Sequence, residues 1–130
     1  MPGTSDERRG FVRVPFNTEV MVEGEGKTIL SREGINVSMS GIRLFTSGSI
    51  PAHGSSCQVK ILLQASESRL PIEARGIVVR SEPGVLAVQF TEIDLDGYHH
   101  LRQIILNNTD EPEKAEKEFS THWGIRESHQ

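Results

Sequence analysis

The chain has 130 residues, 35% hydrophobic and 25% charged, with fourteen Lys and Arg against eighteen Asp and Glu for a formal charge of −4. That length suits one domain with its own core, and the acidic balance argues against a nonspecific duplex-DNA binder, which needs a basic field. A single cysteine, Cys57, excludes a disulfide framework and a cysteine-built zinc site. No apolar run approaches the roughly 18 residues of a membrane span, and the opening Met1-Pro2-Gly3-Thr4-Ser5 has no apolar segment of a signal peptide. A cytoplasmic protein is expected.

Residues 1–7 are small, polar and then charged, and read as a flexible arm. Six stretches then show the period of two that marks strands with one buried face. Thr18–Glu23 aligns Thr18, Val20 and Val22. Thr28–Met39 aligns Ile29, Ile35, Val37 and Met39, and Gly41–Thr46 aligns Ile42 and Leu44. Cys57–Gln64, Leu70–Arg80 and Val85–Phe90 complete the set. Ser81-Glu82-Pro83-Gly84 is a hairpin signal, because Pro presets one turn position and Gly tolerates positive φ. Strands in succession with no helical interlude predict an antiparallel sheet closing on itself.

The period then changes. Leu95, Tyr98, Leu101, Ile104 and Ile105 recur at helical spacing after Asp94, a natural N-cap, and Asn107-Asn108-Thr109-Asp110 stops that helix. A second helix is expected from about Glu111 to Trp123. Its Ala115, Phe119 and Trp123 share one face, either docked on the domain or reserved for a partner.

Two clusters have little to do with folding. In Asn36-Val37-Ser38-Met39-Ser40-Gly41, alternation turns Val37 and Met39 inward. It leaves an exposed row of one amide and two hydroxyls, with Gly41 allowing close backbone approach. A polar strand end and turn explains the same residues. In Arg8-Arg9-Gly10-Phe11-Val12-Arg13, Arg9 and Arg13 are four apart and share a face. Guanidinium grips phosphate and the guanine O6/N7 edge through paired hydrogen bonds and stacks on rings, although a solvated charged arm fits as well.

Taken together, the Arg9-x-x-x-Arg13 arm and the Asn36-x-Ser38-x-x-Gly41 strand motif resemble the PilZ domain family over roughly Glu7–Leu106. The resemblance implies an all-β fold with C-terminal helices, a six-stranded antiparallel barrel. The barrel and first helix would occupy 8–106, and a helical tail 107–130. It also implies a receptor for the bacterial second messenger cyclic di-GMP, not an enzyme. Arg9 and Arg13 match the arm arginines that grip guanine edges and phosphates. Asn36 matches the guanine-binding carboxylate or amide, Ser38 the ligand-binding hydroxyl and Gly41 the glycine of close approach. Arg8, just before the arm motif, is a further candidate, placed to admit a second, interleaved ligand molecule. Two ligands per chain and an unidentified protein partner are therefore expected. Because these residues lie outside the tail, removing residues 110–130 is expected to leave binding nearly unchanged.

Other features point elsewhere only weakly. His99 and His100 are adjacent on a helix and diverge by about 100°, while His53, His122 and His129 are scattered, so no metal site is expected. Cys57 heads an apolar strand and reads as a core side chain. Two rival functions remain. A single-stranded nucleic-acid binder would need aromatic stacking platforms, and a ligand-free adaptor would not need complete motifs.

Overall fold

A computed structural model describes residues 11–16, 18–62, 72–121 and 126–127. The arm 1–7, Arg8, Arg9 and Trp123 lie outside the described residues. The strands are β1 (Val14–Pro15), β2 (Glu19–Gly24), β3 (Lys27–Ser31), β4 (Asn36–Ser38), β5 (Gly41–Phe45), β6 (Ser56–Leu62), β7 (Ile72–Glu82), β8 (Val85–Ile93) and β9 (Arg126–Glu127). Two helices are described, α1 (Leu95–Asn108) and α2 (Pro112–Thr121).

Alternation decides which side chains turn inward. Val14, Val37, Ile42, Val88 and Val78 face one another across five strands, and each is at most 3% exposed. The Pro83-Gly84 hairpin is present, with Glu82 opposite Val85 and Gly84 at φ +89°. The β7–β8 ladder is bulged twice, with Thr91 of β8 extra opposite Arg75/Gly76 and Val79 of β7 extra between Val78 and Arg80, which lets so long a ladder curl over the core.

The expected closed six-stranded barrel is not what forms. Among the described residues one sheet runs β1-β4-β5-β8-β7-β6-β2-β3, with β9 parallel beside β8, and its two ends do not pair. The cause is local. The expected single strand Thr28–Met39 breaks at Gly34, whose φ is +64° and where a Cβ would lie 2.5 Å from the Phe45 ring. β3 therefore falls at one edge of the sheet and β4 next to the other, between β1 and β5, and the chain between them spans the gap. Phe45 N–H donates to the Glu33 carbonyl (3.0 Å) and Ser31 Oγ donates to the Phe45 carbonyl (2.6 Å). Loop hydrogen bonds thus do what a strand ladder was expected to do.

Helix α1 begins at Asp94, whose Oδ1 accepts from Gly97 N–H at 2.7 Å, and it packs on β7 and touches β1. Pro112 opens α2, where its missing N–H costs nothing. The described part of the tail stripe, Ala115 and Phe119, is docked. Ala115 is fully buried and Phe119 is 3% exposed. The Tyr98 hydroxyl donates to the Phe119 carbonyl at 3.2 Å, and the two rings meet edge to face at 5.5 Å. An Arg102–Glu116 ion pair also joins the helices. Val12 and Val14 of the arm root and Ala115 and Phe119 of α2 belong to one continuous core cluster.

Candidate ligand-binding site

The strand motif is a tight hairpin. Ser38 pairs with Gly41, leaving Met39 and Ser40 as a two-residue turn instead of more strand. The exposed polar row expected from alternation is therefore cut short. Ser38 is only 4% exposed. Its Oγ accepts from Ser40 N–H at 3.1 Å and lies 3.2 Å from the Ser40 hydroxyl. That hydroxyl stabilises the turn, an arrangement in which serine substitutes for a backbone partner. The turn is tied to the sheet by Phe90 N–H, which donates to the Ser40 carbonyl at 2.8 Å.

Gly41 also differs from expectation. A Cβ there would lie 2.4 Å from the Val88 carbonyl oxygen. The close approach it permits in this structure is that of β8. Its side-chain hydrogen is required by the fold.

Asn36 remains half-buried and faces away from Val37, with its Nδ2 at a long 3.4 Å from the Gly34 carbonyl. Directly across the ladder on the same face stands Arg43. Arg43 is half-buried, and its Nε is shut away from solvent with no hydrogen-bond partner among the described residues. A desolvated guanidinium N–H without an acceptor is costly, and an anionic or carbonyl ligand supplies one. Sequence periodicity put Arg43 on an outward face, between Ile42 and Leu44, but gave no sign that this face was that of Asn36.

The arm reaches the same place through β1. Val14 pairs with Val37 and Pro15 with Asn36, so the register continued by one step sets Arg13 across from Ser38. Arg13 is exposed. It also lines a groove of about 380 Å³ between the arm root and the junction of α1 and α2, together with Phe11, Pro15, Asp110 and Lys114. The structure thus brings Asn36, Ser38 and Gly41 together, adds Arg43, and leaves Arg13 one residue before the paired part of β1.

The sequence matches the PilZ domain family over residues 7–107. The chain belongs to the PilZ domain family. Among solved structures, the PilZ chain is similar to the Bacillus subtilis inhibitor of motility (MotI/DgrA), at 26% identity and a TM-score of 0.61. That match covers 77% of this chain and 50% of the other, so this chain spans half the length of that protein. It also shares its fold with the PilZ domain of CeSA from a cellulose-synthesizing bacterium, at 19% identity and a TM-score of 0.51, over 74% and 96% of the two chains. No curated protein matches. PilZ domains are binding domains, not enzymes. No described helix is long and apolar enough to cross a membrane.

Proposed function

We propose that this PilZ domain is a cyclic di-GMP receptor that passes the ligand signal to a protein partner. The observation that supports it most directly is the cross-strand pair of Asn36 and Arg43 on one outward face, flanked on β1 by Pro15, two residues after Arg13. A cyclic dinucleotide offers two phosphates and two guanine edges. Guanidinium groups suit both, by bidentate hydrogen bonding and by stacking. Asn36 adds an amide acceptor for guanine N–H groups. In this reading Arg8 and Arg9 complete the grip from the arm, while Ser38 and Gly41 act by holding the hairpin that presents Asn36 and Arg43.

Calorimetric titration with cyclic di-GMP tests the reading, with GMP and a short single-stranded oligonucleotide as comparisons. Saturable binding of the cyclic dinucleotide alone is expected. Stronger binding of the oligonucleotide would replace the receptor with a nucleic-acid binder, and no binding of either would leave a ligand-free adaptor.

The reading extends to stoichiometry. An interleaved ligand pair brings about four negative charges into one place and needs extra cationic surface. Arg8 supplies it, so two molecules per chain are expected at saturation. Arg8→Leu should move the titration toward one per chain with the first binding step retained. Wild-type saturation at one per chain removes this role for Arg8.

A further inference from the structure

We infer that Glu118, on the C-terminal helix, is a positioning residue for the ligand site, so that α2 is part of the receptor and not an appendage. The inference rests on the cyclic di-GMP reading above.

The ladder holding the arm is short. β1 is two residues long, and one of them, Pro15, has no N–H to donate. Strand pairing ends at Val14. Two residues upstream, Val12 N–H donates to Glu118 Oε1 at 2.9 Å, across 106 positions of sequence. Val12 lies inside the Arg9-x-x-x-Arg13 motif, next to Arg13. A hydrogen bond from a backbone N–H to a carboxylate is stronger than one to a neutral acceptor, and this one is sheltered, since Glu118 is 8% exposed. Glu118 follows Ala115 by one turn and precedes Phe119, both buried in the core shared with Val12. The tail therefore holds the arm by packing and by a directed hydrogen bond, in the conformation whose register continues Arg13 toward Ser38 at the edge of the Asn36 face.

Holding the arm before ligand arrives lowers the ordering cost of binding. The coupling is reciprocal. A ligand gripped by Arg13 tightens the Val12–Glu118 contact, and with it the docking of α2 on α1. This reverses the expectation that the tail can be removed without consequence.

The test titrates cyclic di-GMP into the full-length wild type, Glu118→Gln and Glu118→Leu, while NMR hydrogen exchange follows the Val12 amide and, as a core reference, the Val88 amide. Gln keeps a carbonyl acceptor and should bind within about threefold of wild type. Leu keeps the apolar packing but loses the acceptor. It should expose the Val12 amide, leave Val88 protected and bind roughly tenfold more weakly. In the wild type, ligand should slow Val12 exchange. Unchanged affinity in Glu118→Leu with Val12 exposed overturns the inference alone. If that variant also loses Val88 protection, the wild-type measurement decides, and no slowing at Val12 overturns it. Absence of any wild-type binding overturns the ligand reading as well.

Discussion

The two halves of the proposed site are built differently. The hairpin Asn36–Gly41 is held on both sides, by β1 and by β5, and β5 is in turn paired to β8. Its turn is closed by Ser38 and its neighbour strand is in near contact at Gly41. The arm around Arg13 rests on two residues of ladder and on Glu118 of a distant helix. Within one family motif, then, some residues maintain a rigid platform and others present a group to solvent. The arm, with fewer ties, is the half whose position a ligand can most easily change.

The sharpest way to break the comparison is Gly41→Ala. The added methyl would press on the Val88 carbonyl, a backbone atom that cannot swing aside. Thermal unfolding should show a loss of roughly 2–3 kcal/mol, in the range of overpacked sites. An unchanged melting temperature would mean that this half of the motif is not rigid.

Arg43→Ala should do the opposite. It deletes a guanidinium with an unsatisfied N–H and leaves the fold as stable as before. Ligand binding should fall by about 1–3 kcal/mol, which is about 5- to 150-fold in dissociation constant. Calorimetry and a melting curve on the same sample separate the two effects. Retained affinity would remove Arg43 from the site.

Asn36→Asp sharpens the comparison from the ligand side. A carboxylate accepts guanine N–H groups with charge, so binding should tighten several-fold, an effect of about 1 kcal/mol. Weaker binding of the aspartate variant would show that the amide donates to the ligand.

Cys57 gives the smallest signal and serves as a reference for both halves. It is buried in β6, away from the motif, and burial pushes its thiol up to about 11 from 9.0. The folded state thus holds the proton more tightly than the unfolded chain. Its contribution to stability is complete below about pH 9 and is lost as the pH rises toward 11. At pH 8 a thiol reagent should label it slowly, at the rate of opening. Gly41→Ala should speed that labelling and Arg43→Ala should not. Rapid labelling of the native wild type would contradict the burial.

Local pattern by itself determined a great deal here. Alternation identified the inward faces of most strands, Pro83-Gly84 the hairpin, Asp94 the start of α1, and the spacing of Ala115 and Phe119 the apolar face of α2, whose docking only the structure decided. The family motifs were legible as residues. Each of these follows from neighbours a few positions apart, where periodicity, turn chemistry and capping act. Tertiary structure decided the rest. A glycine with positive φ at position 34, pressed by Phe45, divided one expected strand between opposite sides of the sheet, β3 at one edge and β4 inside β1 at the other, and left the sheet open. Register set Arg43 opposite Asn36, and the hairpin withdrew Ser38 from the surface. Glu118 met Val12 from 106 residues away. Periodicity says which way a side chain points from its own element but not what stands opposite. That depends on which strands and helices the core brings together.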